Sequence, residues 1–252
     1  KASRVPVSPT LSPARFGNMA NDGGHLFLAP DEVEEARRDP RAERYIRPFR
    51  GARELLRNID RWCFWLVDVD PDDISSSPVL QDRVGKVQQH RSSSDRKATQ
   101  ELARVPHLFA EIRQPKTDYV AIPRHVSETR SYWLVQQYSP TIISGDANFL
   151  IADSDGLQFG LISSSMFITW QRTIGGRIKS DLRFSATLTW NTFPVPELEE
   201  NVRAKIIKAG KGVLAARELH PDRSLAQHYN PLAMDPALVK AHDVLDREVD
   251  KA

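Results

Sequence analysis

The sequence has a single cysteine and no long apolar run. Because Cys63 stands alone, it forms no disulfide within the chain, which excludes a secreted disulfide scaffold and is typical of a reducing cytoplasm. No window approaches the roughly eighteen apolar residues of a transmembrane helix. The first residues, Lys1 to Pro13, also lack the apolar core of a secretion signal. We therefore expect a cytoplasmic protein with no membrane partner.

Motifs for catalysis are also missing. A methyltransferase or kinase needs a glycine-rich turn against its cofactor, whereas Gly23-Gly24 and Gly175-Gly176 are isolated pairs. Asn230 to Leu232 begins like the Asn-Pro-Pro-Tyr motif of amino-methylating enzymes, but it lacks the second proline and the aromatic ring. The histidines are scattered without metal-ligand spacing. The sequence predicts no catalytic residue, no metal site and no cofactor site in this chain.

What the chain does contain is enough apolar material for a folded core, since 40% of its 252 residues are hydrophobic. Arginine outnumbers lysine by 25 to 10, and its planar guanidinium binds phosphate or a guanine edge at two points. The net charge is only +2, yet ten basic residues stand against five acidic ones between positions 83 and 130. This asymmetry suggests a polyanionic partner.

Hydrophobic periodicity and turn residues predict an α+β fold, with a mixed, largely antiparallel sheet followed by a helical C-terminal region. Prolines at Pro194 and Pro196 divide the chain into residues 1–195 and 196–252. The predicted strands are His25–Ala29, Arg61–Val69, Tyr119–Pro123, Tyr132–Gln136, Thr141–Ile143 and Asn148–Ala152. The predicted helices before Pro196 are Asp31–Arg44, disturbed at Pro40, a segment around Leu80–Val87, Lys97–Arg104 and Phe159–Ile174. Two more helices are predicted beyond Pro196. The first includes Val202–Leu214, and the second begins at Asp235.

The segment of residues 177–185 alternates polar and apolar positions. One extended strand would place on a single face the side chains of Arg177, Lys179, Asp181, Arg183 and Ser185, and toward the core those of Ile178, Leu182 and Phe184. Such a face can be merely solvated. It can also read DNA, because a lysine donates to guanine O6 and N7 while a carboxylate accepts from cytosine N4. The residues alone leave both interpretations open.

Several strings resemble consecutive landmarks of one family, the MmeI-like DNA methyltransferases, also called type IIL restriction-modification enzymes. The strings occur in the right order over nearly the whole chain, which is more specific than any single motif. They are Tyr45–Phe49, Arg61–Trp65, Phe109–Pro115, Tyr119–Arg124, Val126–Arg130, Phe159–Met166, Gly176–Ser185, Trp190–Pro194 and Leu238–Asp250.

The resemblance implies that residues 1–195 are a target recognition domain and that residues 196–252 are its helical C-terminal region. The parent would be a bacterial adenine-N6 methyltransferase whose nuclease and S-adenosylmethionine-binding domains lie outside this chain. Its expected partners are double-stranded DNA, read in the major groove, and the catalytic methyltransferase domain of the same parent. No cofactor is expected in this chain itself.

The resemblance also assigns roles to residues. The positions of Lys179 and Asp181 form the family's specificity pair, and that of Arg183, working with Ala147 in the preceding strand, reads a neighbouring base. Tyrosines are usual where this chain has Leu182 and Phe184, which puts possible hydroxyl contacts in doubt. Further DNA contacts are expected from Arg177, Ser185, Arg124, Ser127 and Arg130, the last three of which could equally form a plain surface loop.

A different class of function is left open. The apolar faces of the C-terminal helices could dock a restriction or phage-defence subunit, which would make the chain a protein-interaction module. A third alternative is a fragment that is inert without its catalytic half, because a recognition domain alone grips one side of the duplex.

Overall fold

The computed structural model describes residues 1–252 and contains eleven short strands and eleven helices. The strands are β1 (Ala14–Phe16), β2 (Phe27–Leu28), β3 (Ile46–Arg50), β4 (Trp62–Phe64), β5 (Tyr119–Pro123), β6 (His125–Val126), β7 (Gln136–Tyr138), β8 (Ile143–Ser144), β9 (Asn148–Ala152), β10 (Gly176–Ile178) and β11 (Asp181–Arg183). The helices are α1 (Pro30–Ala36), α2 (Pro40–Glu43), α3 (Ala52–Arg57), α4 (Pro71–Ser76), α5 (Pro78–Ser92), α6 (Lys97–Glu101), α7 (Leu157–Ile162), α8 (Ser165–Ile174), α9 (Glu200–Arg217), α10 (Leu225–His228) and α11 (Pro236–Asp250). Two short turns complete the list, a 3-10 turn at Leu102–Arg104 and a π-helical turn at Ala186–Trp190.

The strands form three small sheets, with orders β1-β9-β5-β7, β2-β4-β3-β8 and β10-β11-β6. Every pairing is antiparallel except that of β3 with β8. The predicted α+β class, with a mixed and largely antiparallel sheet, is therefore confirmed.

One large core joins the central sheet to the C-terminal helices. Its 33 buried residues include Tyr119 and Ile151 on the sheet, Ile206 on α9 and Leu245 on α11. A second cluster of 14 residues lies under the sheet of β2, β3, β4 and β8. The C-terminal helices thus share one core with the central sheet. No helix of the chain has both the length and the apolar character needed to cross a membrane.

Local structure agrees with the sequence where an apolar run ends at clear turn residues. β5 and β9 have the predicted bounds, and the Asp235 carboxylate caps α11 by accepting a hydrogen bond from the Ala237 N–H at 2.8 Å. The predicted strand at Tyr132–Gln136 is wrong. Residues 133–135 are buried without being in a strand, and the strand β7 begins at Gln136.

The single helix predicted over Phe159–Ile174 is also wrong, because the structure has two helices there. α7 ends at Ile162, and Ser164 begins α8 by accepting a hydrogen bond from the Phe167 N–H at 3.3 Å. A serine at this position competes for backbone donors and caps a new helix, which the apolar periodicity does not register.

Candidate nucleic-acid interface

The charged segment of residues 177–185 is a hairpin, not one extended strand. β10 and β11 pair antiparallel, and Lys179 and Ser180 form the turn between them. Lys179 has a φ of 54°, in the left-handed region, and the Arg177 guanidinium donates to the Ser180 carbonyl at 3.1 Å. The prediction of one strand was wrong because alternation continues through a two-residue turn and so does not reveal it.

The hairpin is anchored through β11, which pairs with β6 so that Leu182 lies opposite Val126. Leu182 and Phe184 are buried, as predicted. Ile178, which was predicted to face the core, is 44% exposed instead. It lies on β10, the outer strand of the three-stranded sheet, where no further element covers it.

The polar side chains of the hairpin do not form one row. Asp181 and Arg183 are two residues apart on β11 and share one face of the sheet. Arg177 lies opposite Leu182 and therefore on the other face, where it donates a hydrogen bond to the Glu128 carboxylate at 2.7 Å. The expectation of five polar side chains on one face was wrong because the chain reverses at the turn.

Three side chains of the hairpin have no partner within the chain. Lys179, Asp181 and Arg183 are exposed, and none of their side chains makes a hydrogen bond or an ion pair. Together they present an ammonium donor, a carboxylate acceptor and a guanidinium donor within five residues of sequence. This is the chemistry that hydrogen-bonding recognition of an external ligand requires.

Arg124 lies between the hairpin and the turn that carries Ala147. Its N–H donates to the Ala147 carbonyl at 3.3 Å, and its own carbonyl accepts from the Phe184 N–H at 2.9 Å. Ala147 and Phe184 are thus about two strand widths apart, roughly 10 Å. Ala147 is exposed and lies in the turn before β9, not in a strand as expected. The structure therefore brings Ala147 and Arg183, the residue before Phe184, to one region.

The Arg124 side chain is held by two residues that the sequence did not single out. Its Nη2 lies 3.6 Å from the Asp146 carboxylate, and its guanidinium lies over the Phe16 ring at 4.5 Å. Phe16 packs against Phe149, with 4.2 Å between ring centroids, and is 43% exposed. This contact depends on the pairing of β1 with β9, and no local pattern in the sequence signals it.

A surface recess of 330 Å³ adjoins the hairpin. Its lining includes Arg183, Gly176, Phe16 and the buried rings of Phe149 and Phe184. The recess therefore lies next to the unpartnered Arg183, and three phenylalanine rings form part of its wall.

His125 is a further residue of this region that the sequence analysis missed. It lies opposite Arg183 in the pairing of β6 with β11, and its Nε2 is buried without a hydrogen-bond partner. Burial, reinforced by the positive charges of Arg183 and Arg124, lowers the pKa of this imidazole. A histidine on a two-residue strand carries no sequence signal of its own.

Arg130, a predicted DNA contact, is engaged inside the chain. Its guanidinium donates to the carbonyls of Ala226, at 3.0 Å, and of Tyr229 at the end of α10. Burial lowers the pKa of this guanidinium. Arg172 braces the same loop by donating to the carbonyls of Glu128 and Arg130 at 3.2 and 2.6 Å. The geometry thus gives Arg130 a structural role between the loop and α10.

The two predicted serines differ in their surroundings. The Ser185 hydroxyl accepts a hydrogen bond from the Leu188 N–H at 3.1 Å and caps the π-helical turn. Ser127 is exposed, and its hydroxyl lies 3.1 Å from that of Thr129. Ser127 is therefore accessible to a ligand, whereas the Ser185 hydroxyl is already hydrogen-bonded to the backbone.

The chain shows neither an accessible thiol nor a cluster of metal-ligating side chains. Cys63 is fully buried on β4, and burial raises the pKa of its thiol. No three histidine, cysteine, aspartate or glutamate side chains come together in a way that could hold a metal ion. The hairpin combines an unpartnered ammonium, carboxylate and guanidinium group within five residues.

Comparison with known proteins gives matches along the whole chain. A family model described as MmeI, target recognition domain, matches residues 1–197, and one described as MmeI, C-terminal domain, matches residues 198–252. DNA methyltransferase A of Bacillus subtilis (strain 168) is 33% identical over 252 residues, which is 100% of this chain and 29% of that protein. A solved structure of the type IIL restriction-modification enzyme MmeI in complex with DNA superposes with a TM-score of 0.92 at 37% identity, over 99% of this chain and 33% of that one. The chain spans about a third of the length of these relatives.

Proposed function

This chain belongs to the MmeI family, of which it carries the target recognition and C-terminal domains, and from that premise we propose that it selects the DNA sequence on which a longer methyltransferase acts. The observation that carries the proposal is the hairpin of β10 and β11. It presents Lys179 at its turn, and Asp181 and Arg183 along β11, to solvent without internal partners. A two-stranded ribbon is narrow enough to enter the major groove of B-DNA.

Within this proposal, Lys179 and Asp181 read the two members of one base pair. The ammonium donates to guanine O6 and N7, and the carboxylate accepts from cytosine N4, so together they select a G·C pair. Arg183 and Ala147 read a neighbouring pair. The Arg183 side chain is long enough to reach a base edge. The small Ala147 side chain leaves room for that base edge to approach.

Phosphate and positioning contacts come from the surroundings of the hairpin. Arg124 and Arg177 are each held by a carboxylate, Asp146 and Glu128 respectively, so that their guanidinium groups are oriented before DNA arrives. Ser127 is exposed in the neighbouring loop and completes the proposed contact set. Ser185 can contact DNA only in addition to capping the π-helical turn. Arg130 is not part of the proposed contact set, because its guanidinium already binds the carbonyls of Ala226 and Tyr229.

The catalytic step belongs to a part of the parent outside this chain. We propose that a methyltransferase domain of the same parent binds S-adenosylmethionine and transfers its methyl group to the N6 of an adenine that is flipped out of the duplex. This chain would then position that domain by fixing its register on DNA. The partners of the chain are double-stranded DNA and the catalytic domain.

An exchange of the specificity pair tests the proposal. Lys179→Glu combined with Asp181→Arg in the full-length enzyme reverses donor and acceptor, so the required pair changes from G·C to C·G at one position. Methylome sequencing of cells that carry the variant reads the result directly. An unchanged methylation motif would refute the assignment of Lys179 and Asp181.

A matched control uses another exposed pair of the same charges. On α5, the exposed Lys86 ammonium lies 2.7 Å from the exposed Asp82 carboxylate. This helix packs against the second hydrophobic cluster, which does not include the hairpin. Lys86→Glu combined with Asp82→Arg alters the same kinds of charge. We expect this control variant to methylate the parent motif.

The alternative function, docking of a restriction or defence subunit, has little free apolar surface on the C-terminal helices, where Val239 and Val244 of α11 are the exposed large apolar side chains. Leu238, Leu245 and Val249 of α11 and Val213 of α9 are buried in the chain's own core. A titration with duplex DNA at two salt concentrations separates the two functions. DNA readout requires affinity to fall steeply with salt because counterions are released, whereas a protein-docking module would show no such dependence on DNA.

A further inference from the structure

The aromatic recess continues the face that carries the proposed base-reading residues. Arg183 belongs both to the exposed face of β11 and to the lining of the recess. Gly176, which lies opposite Arg183 in the hairpin, also lines it. A DNA edge that follows this face past Arg183 would therefore meet the recess next.

The recess disfavours a cation and offers apolar surface beside a basic residue. Arg183 on its lining and Arg124 over the Phe16 ring repel a cation. Arg183 and the hydroxyls of Ser185 and Thr187 on the lining can donate to a polar group, whereas the buried rings of Phe149 and Phe184 offer only apolar surface. Phe16 keeps 43% of its surface exposed beside them, which gives an accessible hydrocarbon surface at the recess.

We propose that this recess receives the 5-methyl group of a thymine in the base pair next to the one read by Arg183, an inference that rests on the proposed function. In the major groove the thymine methyl is the apolar group that distinguishes an A·T pair, and it is recognised by contact with apolar side chains such as phenylalanine. Phe16 is then a specificity-determining residue beyond the expected set.

Gly176 keeps the approach to the recess open. A Cβ built at this position meets no other heavy atom within 4 Å. The glycine is therefore not required by packing, and a larger side chain there would extend into the space beside Arg183. This makes position 176 a place where the recess can be obstructed while the fold is left intact.

Thymine-to-deoxyuridine replacement removes only the methyl group and tests the proposal on the unaltered enzyme. Duplexes carry the recognition sequence of the full-length enzyme, and each thymine is replaced in turn. At one position, next to the pair read by Arg183, we expect binding to weaken about four-fold, the equivalent of about 0.8 kcal/mol for one buried apolar carbon. If no replacement weakens binding by more than two-fold, the inference is wrong.

A Gly176→Val variant of the same enzyme gives a second, independent measurement. With the recess obstructed, we expect the preference for thymine over uracil to fall below two-fold. Gly85→Val is the matched control, because Gly85 is an exposed glycine of α5 where a Cβ also meets nothing within 4 Å. The control should retain the four-fold preference, and loss of the preference in both variants would contradict a local role for the recess.

The two levels of inference fail separately. If the exchange at Lys179 and Asp181 changes the methylation motif while no uracil replacement matters, the recess inference fails and the proposed function stands. If the exchange changes nothing and the full-length enzyme shows no sequence preference, the proposed function itself fails.

Discussion

The Arg217 guanidinium donates a hydrogen bond from Nε to the hydroxyl oxygen of Tyr229 at 3.0 Å, with both side chains buried. Arg217 also donates to the Val135 carbonyl at 2.9 Å, just before β7. The Tyr229 hydroxyl in turn lies 2.8 Å from His242 Nε2 on α11. This buried network joins α9, α10 and α11 to the segment that leads into the central sheet. It holds the helical region against the part of the chain that carries the hairpin.

Replacement of Arg217 should therefore destabilise the fold strongly. Arg217→Met leaves the Tyr229 hydroxyl and the Val135 carbonyl without this donor. Each buried polar group left unpaired costs about 1–3 kcal/mol. Urea unfolding of the chain measures the loss. Arg223→Met is the control, since Arg223 is half-buried and its side chain has no hydrogen bond, and we expect it to change stability by less than about 0.5 kcal/mol.

The same network should make stability fall in mild acid. Burial, followed by the charge of Arg217, lowers the pKa of His242 from 6.5 to about 3. Below about pH 6.5 the unfolded chain binds a proton at this histidine that the folded chain does not bind. The free energy of unfolding therefore decreases as pH falls from 6.5 toward 3, by about 1.4 kcal/mol per pH unit from this group.

A histidine variant isolates this contribution. We expect His242→Gln to show a flatter dependence than the parent chain when urea midpoints are compared at pH 7, 6 and 5, above the range where most carboxylates titrate. Other histidines with lowered pKa values, His125 and His228 among them, remain in both proteins and cancel in the comparison. Parallel curves for the two proteins would show that His242 does not titrate as proposed.

The sequence predicted those parts of the fold in which local patterns decide the structure. Tyr119–Pro123 and Asn148–Ala152 are compact runs bounded by polar or turn residues, and both are strands with those bounds. The hairpin was not predicted, because its turn consists of Lys179 and Ser180 and lacks the asparagine or glycine that usually marks one. The left-handed backbone conformation of Lys179 follows from the pairing of β10 with β11. The alternation of polar and apolar residues along the sequence does not contain that information.

The candidate site was only partly accessible from the sequence for a similar reason. Lys179, Asp181 and Arg183 are close in sequence, so their chemistry could be considered together, and the family resemblance added Ala147. Phe16 could not be found, because its contact with Arg124 joins residues more than 100 positions apart. Long-range pairings of this kind arise from the packing of the sheets and leave no periodic signal.

Asp153 should be a strong determinant of the turn that leads into α7. Its buried carboxylate accepts hydrogen bonds from the N–H groups of Gly156, Gln158 and Phe159 at 3.1, 3.0 and 2.9 Å. Asp153→Ala leaves these donors without that partner, and we expect a loss of at least about 2 kcal/mol in urea unfolding. Asp153→Asn keeps one acceptor oxygen and should lose less. Equal losses for the two variants would mean that the acceptors are not what stabilises the turn.

Lys179 should show that recognition and stability conflict at the hairpin tip. Its left-handed backbone costs a side-chain-bearing residue about 1–2 kcal/mol, a cost that glycine avoids. Lys179→Gly should therefore leave the thermal stability of the chain unchanged or raise it, while the full-length enzyme loses about 1–3 kcal/mol of discrimination at the base pair that Lys179 reads. Asn58→Gly is the matched control, because Asn58 has a φ of 52° at the end of α3 and its side chain makes no hydrogen bond. The control should likewise keep or gain stability, and it should keep its discrimination. Undiminished discrimination in Lys179→Gly would remove Lys179 from the readout.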